Sequence, residues 1–593
     1  MSGSITNEAS NLAIQEPHDD QEVTSETAPL LPNDTAIPGS ANTVDNNNND
    51  AAITTANPKQ SHRNFGSHSK SSPNEDEQQD QEDREASIPT ERYKLHRSYR
   101  LFIHNSRWIL NILILLTSIW LVMILISDFF FNIRFNNRLT GFKGMILLFI
   151  SLITNCCNFW FNDLGLYSPS DYKLNIILAL LTIFNLLLLY SIHFTRSRIS
   201  FTDNAIYIWT SLSFLVGALL DWSILNYNNS LTIQPYDESK HTIKEWIFIA
   251  TRNLIKILLL AQLFFLTTTN LLSTFDLHHA QPPSTEFHWT DKNKVSQLHI
   301  ECHGDVSGDS STPLIIYEHG GYDTGYESAD WIKELYHLNK ISRYCIYERP
   351  GYGFSDSMSS PVSISLVVDQ LQYVLREELK VTGPLVGVGF GFGGLVSRVF
   401  CSQNLDLCQG LLLVDSWHEE LLLKDYWRKL LPPSRDDKDG DQDRKKVWLG
   451  YDEIGSSNEF PLWWKGIWNS FGWNLQMSWL LKHHGSRDRI MGREMKYQEK
   501  FLRMKFLESV TSSILSYKEV VKSNDNLKNI KTSVVSSKEM IKRSVQWGDW
   551  QRTLTKISQN TKEWTIVEGD HNIYKFGVGK DQLQYVLLRL LED

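Results

Sequence analysis

Five apolar runs between Trp108 and Thr267 constrain this chain more than any other feature. A helix that crosses a bilayer core needs about 20 consecutive, mostly apolar residues. Trp108–Ser127, Leu174–Phe194 and Ala205–Leu225 meet that need, and Gly144–Phe161 meets it less well because it holds Asn155 and Asn158. The fifth run, Trp246–Thr267, places Arg252 and Lys256 one helical turn apart and adds Gln262. Cations in hydrocarbon are costly and face a bundle interior or reach for the interface. This run is therefore either a span with an inward polar face or an amphipathic helix lying on the surface. The expectation is a membrane region over residues 92–275 with about five helices, in contact with membrane lipids.

Residues 1–91 are of a different kind. They carry 17 acidic and 4 basic residues, a net −13, against −10 for the whole chain, so everything after them is slightly basic. A polar segment with so little apolar surface cannot offset chain entropy and is expected to be a disordered acidic tail. The acidity thus says nothing about an enzyme surface. A basic stripe and a zinc-ligand pattern are both missing, which leaves a nucleic-acid partner without support. No metal or cofactor motif stands out, and the expectation is that neither is used. No cleavable signal peptide opens the sequence, so insertion is expected to come from internal segments.

Arg92, Lys94, Arg97, Arg100 and Arg107 precede the first apolar run, and Arg134, Arg138 and Lys143 follow it. The excess places the N-terminus in the cytosol. Five spans then put the C-terminal region in a lumen, whereas four put it in the cytosol. The lack of an Asn-x-Ser/Thr sequon in that region leans toward the cytosol, and the sequence leaves the choice open. The tail also holds Glu26-Thr27-Ala28-Pro29-Leu30-Leu31. This resembles the acidic dileucine signal, Glu-x-x-x-Leu-Leu, that sorting adaptors read on cytosolic tails: Glu26 suits a basic patch, and Leu30 and Leu31 an apolar pocket. The resemblance implies an adaptor as partner and a vacuolar, lysosome-like membrane as destination.

Six cysteines in 593 residues do not suggest a disulfide scaffold. Cys156 and Cys157 lie in an apolar run, and Cys302, Cys345, Cys401 and Cys408 are read as small buried residues.

From about Pro282 the pattern becomes short β-rich runs alternating with helical stretches, which indicates βαβ units and a mostly parallel sheet. Strands are expected at Lys294–Glu301, Leu314–Glu318, Arg343–Glu348, Pro384–Gly389, Leu411–Asp415, Thr532–Ser536 and Glu563–Val567. Four motifs punctuate them in order: His319-Gly320-Gly321, then Arg349-Pro350-Gly351-Tyr352-Gly353-Phe354-Ser355-Asp356, then Gly389-Phe390-Gly391-Phe392-Gly393-Gly394, and Gly569-Asp570-His571.

In that order and spacing, residues 285–593 resemble the α/β-hydrolase superfamily. The resemblance implies a doubly wound, mostly parallel sheet with a helical cap inserted at about residues 416–529, following an all-α transmembrane bundle. It implies an oxyanion site built from backbone N–H groups of Gly320, Gly321 and Phe392, a nucleophile elbow centred on Gly391, and His571 as general base. Asp415, after the sixth strand, is preferred as the acid over Glu539, after the seventh.

The chain departs from the family at its chemical centre. The elbow's middle residue is normally Ser, Cys or Asp. Gly391 has no side chain and cannot attack a carbonyl. Its neighbours are still those an elbow requires, so the architecture is kept while the nucleophile is absent. Ser397 lies inside the following helix and Ser416 follows another strand, so neither replaces it. The cap carries Trp427, Trp448, Trp463, Trp464, Trp468, Trp473 and Trp479, which fit either a membrane interface or a packed cap.

Three functional readings follow. The first is a membrane-anchored hydrolase-like domain that binds a lipid or a partner without turnover. The second is an ester or lipid hydrolase that uses water, with His571 as base. The third is a transporter or scaffold that acts through the membrane bundle.

Overall fold

The computed structural model describes residues 101–127, 142–163, 168–231, 242–307, 311–423, 459–575 and 577–592. These all lie within the unit Asp83–Asp593. The acidic tail with Glu26, Leu30 and Leu31, the basic residues from Arg92 to Arg100, and Trp427 and Trp448 lie outside the described residues.

Among the described residues, five helices are long and apolar enough to cross a membrane: α1 (Leu101–Ser127), α2 (Lys143–Asp163), α3 (Pro169–Ser191), α4 (Phe201–Leu231) and α5 (Ile243–Ala280). Helix α3 packs along α4 and α5, and α2 along α4. Their shared core is apolar, with Leu147, Leu178, Phe214, Leu263 and Leu266 fully buried. Thr242 opens α5 with a capping box, its hydroxyl accepting from the Glu245 amide while the Glu245 carboxylate accepts from the Thr242 amide.

Arg252 and Lys256 face inward, which settles the ambiguity of the fifth run in favour of a packed helix. Arg252 Nη1 lies 3.1 Å from Asp171 Oδ2 on α3, and Lys256 pairs with the other oxygen of the same carboxylate. Lys256 also donates to Asn158 Oδ1 at 2.5 Å and lies 3.9 Å from Asp221 on α4, which in turn accepts from Asn175. Two cations and two anions thus cancel inside the bundle. A methyl group on Gly217 would meet the Asn158 amide at 2.5 Å, so glycine there makes room for the network.

The C-terminal domain is one eight-stranded sheet in the order β1-β2-β4-β3-β5-β6-β7-β8. Its strands are β1 (Phe287–Trp289), β2 (Gln297–His303), β3 (Leu314–Glu318), β4 (Tyr344–Tyr347), β5 (Leu385–Phe390), β6 (Cys408–Val414), β7 (Lys531–Ser537) and β8 (Thr561–Val567). Strands β3 to β8 run parallel, while β1 and β2 are antiparallel to their neighbours. Strand β1 is absent from the sequence reading, because three residues are too few to show an alternation. Helices cover both faces, so the central strands are apolar on both sides. Leu314 and Ile316 enter one core with Leu395 and Val399, while Ile315 and Tyr317 enter the other with Trp331 and Leu587.

The cysteine reading needs correction. Cys302 on β2 and Cys345 on β4 are register partners and form a disulfide, and Cys401 pairs with Cys408 across the turn that leads into β6. Sequence spacing carried no sign of the first pair, because sheet register created it.

Between β6 and β7 lies the cap, including α6 (Glu459–Ser470), α7 (Trp473–Lys482) and α8 (Glu499–Thr511). Trp473 stacks on Phe265 of α5 with centroids 3.6 Å apart, and Gln476 donates to Phe265 O and to Thr269 Oγ1. Gly466 closes against Phe142, at the foot of α2. Helices α6 and α7 therefore sit beside the membrane bundle, and Trp464, Trp468, Trp479, Leu480 and Leu481 remain exposed on them. Of the two readings of the cap tryptophans, this exposed apolar surface next to spanning helices fits the interfacial one.

Further polar clasps join domain and bundle. Asp356, the last residue of the Arg-Pro-Gly-Tyr-Gly-Phe-Ser-Asp segment, accepts from Arg198 Nε at 2.8 Å, and Arg198 also stacks on Phe194. Asp276 of α5 takes Arg489 Nε at 2.7 Å, and Lys143 of α2 pairs with Glu499 at 3.0 Å.

Candidate active site

Strand β5 ends at Phe390 and helix α9 (Gly393–Gln403) begins three residues later, so the chain turns sharply at Gly391. Gly391 sits at φ +53°, in the left-handed region where a side chain is strained and glycine is not. The turn is pinned by Gly391 N–H donating to Val414 O and by Gly391 O accepting from Trp417 N–H. A Cβ on Gly393 would stand 2.4 Å from Glu318 O, and one on Gly394 would overlap the Ser416 hydroxyl. Strand and helix approach so closely that only glycine fits. The backbone turn is thus that of an elbow, and its central position carries no side chain.

His571 lies beside it, fully buried, with Nδ1 2.6 Å from Asp415 Oδ2. Asp415 is itself held by two donors on its other oxygen, Ser537 N–H at 3.1 Å and Trp547 Nε1 at 2.9 Å. A carboxylate fixed this way orients the ring and selects the tautomer that carries its proton on Nδ1. Phe390 stacks on the His571 ring at 4.8 Å. Glu539, the alternative acid, pairs instead with Arg543 at the surface. Ser397 is buried in α9 with its hydroxyl against Gly389, and Ser416 donates to the neighbouring Trp417 carbonyl. Neither stands in for a nucleophile.

The His319-Gly320-Gly321 loop is organised by Arg349, which donates from Nη1 to His319 O and from Nη2 to Gly320 O, both at 2.6 Å. In a trans peptide the carbonyl and the following N–H point in opposite directions. Clamping these two carbonyls therefore aims the amides of Gly320 and Gly321 away from Arg349. Burial, reinforced by Arg349, holds the His319 imidazole well below its ordinary pKa. The ring is neutral, donates through Nδ1 to Gly320 O and accepts the Arg349 amide on Nε2. Burial pushes the Glu318 carboxyl, at the end of β3, up to about 8.

The cap supplies a residue that no sequence motif marked. Lys505 of α8 is buried, pairs with Glu508 at 3.0 Å, and holds its ammonium 5.3 Å from the ring centroids of both Phe392 and Tyr322. Arg349 approaches the same Phe392 ring at 5.0 Å. Two cations thus flank Phe392, whose amide the family resemblance assigns to an oxyanion site. Tyr352 donates to Glu508, and Phe501 and Met504 of α8 pack on Tyr352 and Gly351. The cap helix therefore bears directly on the loop that would receive an acyl group. Among the described residues no cluster of three or more His, Cys, Asp or Glu side chains is placed to hold a metal.

Comparison with known proteins bears on the fold. A family model described as the α/β-hydrolase fold matches residues 313–578, and one described as a region of unknown function (DUF2417) matches residues 26–302. A protein of Saccharomyces cerevisiae (strain YJM789), described as an uncharacterized vacuolar membrane protein, is 48% identical over 606 residues, covering 90% of this chain and 94% of the relative. An uncharacterized protein of Schizosaccharomyces pombe is 25% identical over 317 residues, covering 49% and 53%. Among solved structures, VinJ aligns over 52% of this chain and 99% of its own at 14% identity and a TM-score of 0.34. Bromoperoxidase from Bacillus anthracis aligns over 50% and 96% at 15% identity and a TM-score of 0.33. The chain belongs to the family of the Saccharomyces cerevisiae relative, as a multi-pass protein of the vacuolar membrane whose C-terminal domain has the α/β-hydrolase fold.

Proposed function

We propose that the domain is a non-catalytic member of the hydrolase superfamily, a membrane-anchored binding module for a lipid or a partner. The observation that carries this reading is Gly391. The elbow, the Asp415–His571 pair and the clamped oxyanion loop all stand in place around a position with no side chain. The loop amides, with Lys505 and Arg349 beside Phe392, suit an acceptor-rich group such as a carboxylate or an ester. Purified protein is expected to hydrolyse p-nitrophenyl esters at the same rate as its His571→Ala variant. Robust turnover lost in His571→Ala would overturn the reading and favour water as nucleophile with His571 as base. The cations on α5, which suggested a transporter, have a structural account in their ion pairs with Asp171 and Asp221.

The domain is further proposed to face the lumen. Five candidate spans among the described residues, after a tail read as cytosolic, support this side, and so do two disulfides, since such bonds persist in oxidising compartments. In sealed vacuoles, protease added from the cytosolic side should remove an epitope placed in the acidic tail and spare one placed after Asp593. Digestion of the C-terminal epitope in intact vesicles would refute the assignment.

A further inference from the structure

The junction between bundle and cap encloses a cavity of about 120 Å³ that involves neither Gly391 nor His571. Its polar wall carries three cations, Lys143, Arg489 and Lys500, and two anions, Asp276 and Glu499. Lys143 is paired with Glu499, and Arg489 with Asp276. Lys500 donates only to backbone carbonyls, those of Gly353 at 2.6 Å and Ser355 at 2.8 Å, and among the described residues it has no carboxylate within ion-pair distance. One positive charge is therefore left over. The second observation is independent of charge. Asn469 is buried, its Oδ1 accepts from Asn474, and its Nδ2 has no acceptor among the described residues. A buried donor without a partner is costly, and this one belongs to a residue of the cavity wall.

A surplus cation and an orphan donor both call for an acceptor-rich anion of single charge. The volume is that of about four waters, enough for a phosphodiester or carboxylate head but not for acyl chains. Hydroxyls and amides, among them Asn270, Thr274 and Ser470, complete the polar wall, and Leu189, Leu277 and Leu475 form an apolar side that borders α7, whose Leu480 and Leu481 are exposed. We propose that this cavity binds the monoanionic head of one membrane amphiphile, with Lys500 and Asn469 as its recognition groups and the tail lying along the apolar wall. The site stands whether or not the hydrolase pocket turns over a substrate. Burial pulls the Lys500 ammonium down to about 8, against the opposing pull of the Asp356 and Glu348 carboxylates.

The test uses the full-length protein in dodecyl maltoside, with thermal unfolding followed as ligand is added. The probes are dioctanoyl phosphatidylglycerol, dioctanoyl phosphatidylcholine, octanoate and inorganic phosphate. Either phosphatidylglycerol or octanoate should raise the melting temperature at a concentration at least about tenfold below phosphatidylcholine, and which one does so separates a phospholipid from a fatty acid. Lys500→Met and Asn469→Leu should each weaken that response by about 10- to 100-fold, the range of a hydrogen bond to a charged group, and His571→Ala should leave it intact. Equal responses to phosphatidylglycerol, octanoate and phosphatidylcholine would overturn the proposal, and so would inorganic phosphate acting as well as the amphiphiles. A wild-type response undiminished in both variants would do the same. If neither variant folds, the selectivity of the wild-type protein still decides.

Discussion

Gly391→Ser should react with a fluorophosphonate probe, the wild-type protein should not, and Gly391→Ser combined with His571→Ala should lose the gain. The probe needs a side-chain oxygen, and position 391 supplies one only in the variant. Two conditions for activation are present. His571 is held by Asp415 in the tautomer that leaves Nε2 to take a proton, and the Gly391 backbone already has the φ of +53° that an elbow nucleophile adopts. A serine there carries left-handed strain of roughly 1–2 kcal/mol, small beside the gain in reactivity. A positioned general base contributes about 10²- to 10⁴-fold, which sets the expected ratio of labelling rates between the single and double variants. A folded Gly391→Ser that stays unlabelled would show that His571 is not aimed at the elbow. Labelling of the wild-type protein that His571→Ala abolishes would reveal a nucleophile elsewhere and end the non-catalytic reading.

Asp171→Asn should destabilise the protein by about 3–5 kcal/mol, the cost of removing one partner from a buried ion pair. Asp171 faces both Arg252 and Lys256, and among the described residues the anion left without it is Asp221, 3.9 Å from Lys256. A typical domain is stable by only 5–15 kcal/mol, so the variant should be depleted in cells and should melt far earlier in detergent. Removing the cations as well, in Asp171→Asn with Arg252→Gln and Lys256→Met, should recover most of the loss, because the penalty comes from unpaired charge rather than lost packing. Wild-type stability of Asp171→Asn would show the network to be solvated, and would return the bundle to consideration as an ion or proton path.

The strands around the site were legible because they are short, apolar and followed by glycine-rich turns. Leu314–Glu318 is read from the sequence with the same bounds the structure gives. The resemblance alone placed a candidate acid after the sixth strand, and the structure brings Asp415 there against His571. The Asp171 partnership was not legible, since it joins residues 85 positions apart on helices whose rotations the sequence does not fix. Lys505 was hidden for a related reason: its helix has apolar and charged residues on every side, as expected where a cap touches both a sheet and a loop. The Cys302–Cys345 pair depended on which strands become neighbours in the sheet, and β2 meets β4 rather than β3.

The ion network also bears on how the chain is made. On an insertion scale, Arg or Lys near the centre of a helix opposes entry into the bilayer by about 2.5–3.5 kcal/mol, and α5 carries two of them. Its counter-charges reside on α3 and α4, which leave the ribosome first. Helix α5 should therefore enter the bilayer efficiently only where those earlier helices already wait with Asp171 and Asp221 exposed to receive it. A nascent chain lacking that reception would stop at four crossings, and the hydrolase-fold domain would be delivered to the opposite face of the membrane. One aspartate on α3 would then help determine the compartment in which a domain synthesised more than a hundred residues later comes to rest.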